Sequence, residues 1–180
     1  MGALKRKTAL LPAALLTLGL GFFALASISI LISRSGEGVA AIWLANAFAI
    51  AMVVSLRLPT LLSLAVVALS CALANLMFAT PFEASVLLTG LNVLEIGVGV
   101  ELLRRWLGES AIRPDTPTLV ARYFIAAFGV APAIAALAAA LATPALLGWN
   151  GVETLAAWYG GSFLGGALII QPLILARSQS

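Results

Sequence analysis

The chain has 180 residues, is 62% hydrophobic and only 9% charged, and carries a formal net charge of +3. That balance lies far outside the usual composition of a soluble domain, so lipid must cover much of the surface. The basic residues sit at the ends of apolar runs, where membrane topology rather than nucleic-acid binding puts them. A single cysteine, Cys71, excludes an internal disulfide framework and a cysteine-based zinc site, and the lack of histidine excludes His-ligated metals and haem and the usual general base. No metal or cofactor is expected.

The first apolar run predicts a membrane span at 9–32. Lys5-Arg6-Lys7 ahead of it and Ala24-Leu25-Ala26 within it also resemble a cleavable signal peptide. The run is longer than an ordinary h-region and stays apolar to Ile32, so an uncleaved span is the expectation. Ser-Arg-Ser-Gly-Glu-Gly at 33–38 interrupts the chain, and a second span follows at 38–56. Arg-Leu-Pro at 57–59 separates it from a third at 60–80, and Thr-Pro at 80–81 opens a fourth at 82–103. The longest polar stretch, Arg104 to Thr118, leads to spans at 118–142, with Pro132 expected to kink the helix, and at 153–176. The expected fold is thus an all-α polytopic bundle of about six transmembrane helices, each near the roughly 20 residues a bilayer requires.

With the N-terminus inside, Lys5, Arg6, Lys7, Arg57, Arg104, Arg105, Arg113, Arg122 and Arg177 fall on the cytoplasmic side, and only Arg34, beside Glu37, falls outside. This positive-inside bias places both termini in the cytoplasm.

Glu95 lies midway along the fourth span, where a carboxylate costs about 2.5–3.5 kcal/mol on insertion scales unless it faces protein or water. At about 100° per residue, Ser85, Leu88, Asn92, Glu95, Ile96, Gly99 and Leu103 share one stripe. Glu101 lies on the opposite face within a turn of Arg104 and Arg105, as a helix-end ion pair would. Trp43, Asn46, Ala47 and Ile50 share a face of the second span, and the third contributes Asn75. Trp158, Ser162, Gly165, Ile169 and Pro172 share a face of the sixth, where Gly161-x-x-x-Gly165 and Ser162-x-x-x-Gly166 permit close helix approach. Converging, these faces would make a chamber with aromatic walls, amide donors and an acid at its floor, open to the outside. The bland alternative is that Asn46, Asn75, Asn92 and Glu95 are interhelical hydrogen-bond glue, worth about 0.6 kcal/mol on average. Trp149 reads as an interfacial anchor, Gln171 as packing, and Arg122 as a snorkelling residue or a partner for acids and lipid phosphates.

The landmarks Trp43-Leu44-Ala45-Asn46-Ala47, Leu73-Ala74-Asn75-Leu76, Asn92-Val93-Leu94-Glu95 and Leu102-Leu103-Arg104-Arg105 occur in order. They are followed by Trp158, Gly161, Leu164-Gly165 and Pro172-Leu173. Over residues 38 to 176 this pattern resembles the MASE1 family of bacterial membrane-associated sensor domains. The resemblance implies an inner-membrane sensory input ahead of a cytoplasmic histidine kinase, diguanylate cyclase or cyclic-di-GMP phosphodiesterase. Two departures stand out: Leu44 follows Trp43 where the family usually has proline, and Ser162 occupies a position that usually carries an acid. Family members are often counted as having around eight spans.

After Ala176 only Arg-Ser-Gln-Ser remains, so residues 1–180 read as one sensory domain without a soluble output. The output would be a downstream or separate signalling partner. The other partners expected are the lipid bilayer, a small-molecule or membrane signal, and a second copy of the chain, for which the Gly-x-x-x-Gly face offers one contact. The alternative function is a substrate-binding subunit of a vitamin or metal transporter of the energy-coupling-factor type, which shares the size and the span count. Catalysis in this chain is not expected, since paired carboxylates and histidine are lacking.

Overall fold

The structure, a computed structural model, describes residues 2–33, 39–108 and 117–178. The topological assignments of Arg34, Glu37 and Arg113 therefore fall outside the described residues. The described elements are helical, with no strand among them: α1 (Gly2–Ser33), α2 (Ala45–Ser55), α3 (Thr60–Met77), α4 (Phe82–Leu107), α5 (Pro117–Phe124), a π-helical segment (Ile125–Val130), α6 (Ala131–Leu147) and α7 (Gly151–Ser178). Four stretches are long and apolar enough to cross a bilayer: Leu10–Ile32, Thr60–Met77, Phe82–Trp106 and Ile125–Leu147. Their outward faces are set with large apolar side chains such as Leu61, Leu141, Leu31 and Phe82, each more than half exposed. Surface of that kind is stable against lipid and not against water.

The second span departs from expectation. Helix α2 has only 11 residues, about 16 Å at 1.5 Å per residue, and cannot cross a bilayer alone. Residues 39–44 ahead of it form a non-helical strap. Backbone without helical hydrogen bonds is tolerated at membrane depth only where protein or a polar cavity receives it. Here Trp43 N donates to Gly161 O at 3.0 Å, and Leu44 N donates to the hydroxyl of Ser29 on α1 at 3.2 Å. Apolar composition across 38–56 does not distinguish helix from strap; α7 does.

Helices α2 and α3 end alike. Arg57 and Ala79 adopt left-handed φ values of 52° and 54°. Arg57 N bonds Val54 O and Leu58 N bonds Val53 O; Ala79 N bonds Leu76 O and Thr80 N bonds Asn75 O. Both are Schellman turns, each followed by a proline that cannot extend the old helix and opens the next. At the far end of α4, Arg104 donates to Leu58 O at 2.7 Å and to the Thr60 hydroxyl, pinning the first of these turns. Arg104 is thus a structural clamp rather than a partner of Glu101. Arg105 alone makes the helix-end pair, with Nε 2.6 Å from Glu101 Oε1.

The fifth span is continuous through Pro132. Proline has no N–H for the carbonyl four residues back and its ring crowds that carbonyl; the π-helical turn over Ile125–Val130 relieves both. The same turn presents Phe128, which packs edge-on to Phe124 at 5.3 Å and is buried against α7.

Helix α4 is the hub, packing on α2, α3, α5, the π segment and α6, while α7 packs on α2, α6 and the π segment. The main core joins Leu18, Phe22, Val67, Ile96, Leu103 and Phe128. A second, smaller core joins Leu88, Leu91, Ala135, Ala136, Ala139 and Trp158 at the other end of α4. The boundary between these two cores is where the polar side chains collect.

Candidate functional site

The site begins with the glycines of α7. A Cβ at Gly165 would lie 1.9 Å from Trp43 O, and one at Gly161 would lie 2.8 Å from Ala40 O. A Cβ at Gly166 would lie 1.8 Å from the Phe128 ring. These residues thus let the strap and the π segment seat directly on the helix backbone. The face that could have served a dimer contact is occupied within the chain, whereas Gly160 faces open space.

Seating the strap fixes Trp43. Its Nε1 donates to Asn46 Oδ1 at 3.0 Å, which assigns the amide orientation and turns Nδ2 away from the indole. Asn46 neighbours the Glu95 carboxylate, although its buried Nδ2 completes no hydrogen bond of normal geometry. Glu95 itself is 1% exposed. From α7, Trp158 Nε1 donates to Glu95 Oε2 at 2.7 Å and Ser162 Oγ donates to the same oxygen at 3.1 Å. Neutral donors therefore hold the acid, and no Lys or Arg among the described residues reaches it. Arg122 is exposed and plays no part.

A second polar knot lies one turn along α4. Asn92 Nδ2 donates to Leu88 O at 2.8 Å and to Cys71 Sγ at 3.6 Å. Asn75 Nδ2 donates to Cys71 O at 3.1 Å and to its Sγ at 3.5 Å. The thiol is thus a buried acceptor shared by two amides. Asn92 Oδ1 has no partner, a costly state for a buried polar atom.

Between the two knots is a cavity of about 30 Å³ lined by Ile30, Val39, Ala40, Trp43, Asn75, Leu88, Asn92, Trp158 and Ser162. Five of the seven side chains singled out in the sequence line it. The other two, Asn46 and Glu95, stand directly behind its Trp43, Trp158 and Ser162 wall. The space is enough for a water or two, or for a ligand of a few heavy atoms with slight movement of the strap. Indole rings, amides and a hydroxyl line the space, groups able to hold a ligand by ring contact and hydrogen bonding. Among the described residues no group of three or more His, Cys, Asp or Glu could hold a metal.

Sequence reasoning missed Ser29, Cys71 and the pair Thr143–Thr154, whose hydroxyls meet at 3.3 Å where α6 and α7 join. Small hydroxyls and a thiol within apolar runs give no signal until packing supplies partners. Asn150 was also passed over; its Oδ1 caps α7 by accepting from Val152 N at 2.9 Å and Glu153 N at 3.2 Å. The neighbouring Trp149 packs against the smaller core. Ile169, Gln171 and Pro172 lie on the part of α7 whose side chains fall outside the described residues. Set against known proteins, the chain matches no family model, no curated protein and no solved structure.

Proposed function

We propose that the chain is a membrane-embedded receptor domain, the sensory input of a bacterial signalling protein of the MASE1 type. Its N-terminus is cytoplasmic, the short α2 and its strap together complete one crossing, and α7 completes another. Six crossings then return the C-terminus to the cytoplasm, where a diguanylate cyclase, phosphodiesterase or kinase would be regulated. The observation that carries this reading is the cavity bounded by the non-helical strap ahead of α2. Non-helical backbone at membrane depth is tolerated where it is buried in protein or lines a cavity, and here the strap supplies Trp43 while the facing helices supply Asn92, Trp158 and Ser162.

The two departures from the MASE1 pattern support a coherent variant of the same site. Proline at position 44 would lack the N–H that Leu44 gives to Ser29. An acid at position 162 would set a second carboxylate beside Glu95, where Ser162 instead donates. The transporter reading has less behind it, since vitamin-sized ligands occupy pockets of several hundred Å³ and this cavity is about 30 Å³.

For signalling, a ligand must bind two packings of the bundle with different affinity. The strap and α7 are the parts whose relative position the cavity reads. With the chain fused to a diguanylate cyclase reporter, Glu95→Gln and Trp158→Ala should shift cyclic-di-GMP output or its response to the signal, with membrane insertion intact. Unaltered output from both variants would remove the cavity from the mechanism.

A further inference from the structure

We infer that the cavity takes a small alkylammonium cation, a primary amine of a few heavy atoms; this deepens the receptor reading and rests on it. Among the side chains that line the space few donors are left to give; the unsatisfied Asn46 Nδ2 lies behind the wall, beside Glu95. Both indole N–H groups are used, Trp43 on Asn46 Oδ1 and Trp158 on Glu95 Oε2, so neither is left to offer a ligand. The Ser162 hydroxyl proton is spent on Glu95 as well. What remains unsatisfied on the lining is an acceptor, Asn92 Oδ1, on a side chain 3% exposed.

Charge points the same way. A buried carboxylate is retained in proteins where a counter-charge or a full set of donors meets it. Glu95 is met by neutral groups, Trp158 and Ser162 donating to Oε2 with the Asn46 amide alongside, and by no described cation. The described arginines on α4 are committed elsewhere, Arg104 to the α2–α3 turn and Arg105 to Glu101. An ammonium group in the cavity would give Asn92 Oδ1 a donor, lie beside two indoles able to attract a cation, and set a positive charge across the Trp158 and Ser162 wall from Glu95. Its alkyl part would rest on Ile30, Val39 and Leu88. An anion finds no positive partner here, and a divalent metal finds no ligand set among the described residues.

The test uses the purified full chain in nanodiscs, titrated with methylammonium and ethylammonium chloride at constant ionic strength. Tryptophan fluorescence and the thermal midpoint are followed, with sodium chloride, ethanol and sodium acetate as matched controls. Both amines should give saturable changes and a raised midpoint that the controls lack. Glu95→Gln and Asn92→Leu should each weaken the amine response at least tenfold with the helical circular dichroism retained. Should either variant fail to fold, the selectivity series on the unaltered chain decides alone. Equal response to ethanol, equal response to sodium, or none at all would overturn the assignment. A silent titration alongside altered reporter output in Glu95→Gln and Trp158→Ala would sink the cation and leave the receptor. Amine binding with normal reporter output in both would do the reverse.

Discussion

Glu95 draws both of its hydrogen bonds from α7, and α7 reaches it because three of its residues have no side chain to keep the strap and Phe128 away. The acid and the glycines are therefore one device, although nothing in their types suggests it. The contact at Gly165 is with backbone atoms of Trp43 at 1.9 and 2.4 Å from an added Cβ, and backbone cannot rotate aside. Overpacking of this kind costs typically 1–3 kcal/mol, more where nothing can shift. Gly165→Ala should therefore lower the thermal midpoint of the purified protein and expose the strap to proteolysis. Gly160→Ala, one turn away with nothing within 4 Å, should leave the midpoint unchanged or raise it slightly through helix propensity. Equal effects at the two positions would mean that the strap does not sit on α7. The polar residues carry a parallel lesson. Asn46, Asn75, Asn92 and Glu95 were visible in the sequence as anomalies in apolar runs, but their partners were not. Serine and cysteine cost little in such runs, so Ser29 and Cys71 leave no mark until the helices are assembled.

At the level of elements, the turns were the most legible part and the short helix the least. Arg-Leu-Pro and Ala-Thr-Pro announce their turns because proline cannot continue a helix and constrains the residue before it. The left-handed position in both turns is filled without glycine, by Arg57 and Ala79. For an L-residue that conformation costs roughly 1–2 kcal/mol, which glycine avoids. Ala79 is exposed, so Ala79→Gly should stabilise the α3–α4 turn by about 1 kcal/mol, read as a higher midpoint in thermal unfolding. A fall in midpoint would show that the turn is not left-handed. By contrast, the end of α2 at Ala45 was hidden, because the strap is as apolar as the helix it replaces. Its cause lies in residues 161–165, more than a hundred positions away. Pro132 was visible, but the π turn just ahead of it was not; Phe128, which that turn presents, packs where Gly166 leaves room.

For the whole molecule, the distribution of charge and the packing bear on orientation independently. The short turn at 78–81 makes α3 and α4 run in opposite directions, and the contact of Cys71 on α3 with Asn92 on α4 fits that pairing. The α2–α3 turn, clamped by Arg104, therefore lies at one end of the bundle and the α3–α4 turn at the other. On the proposed topology the charge bias puts the first end in the cytoplasm: Arg57, Arg104 and Arg105 gather there, while Glu83 is the nearest charge in sequence to the second turn. Two exposed positions report these ends, Leu56 beside the first turn and Ala79 within the second. The native Cys71 is buried and serves as an internal blank. In intact cells, a membrane-impermeant maleimide should label Ala79→Cys and leave Leu56→Cys untouched until the membrane is opened. The reverse pattern would turn the bundle over and place the arginine clamp outside. The cavity would then lie in the cytoplasmic half, since Asn75 and Leu88 lie within a few turns of the α3–α4 end. Labelling of neither position before permeabilisation and both after would instead remove the crossing between them. That result would make α3 an interfacial helix, despite a length of 18 residues that just suffices to span.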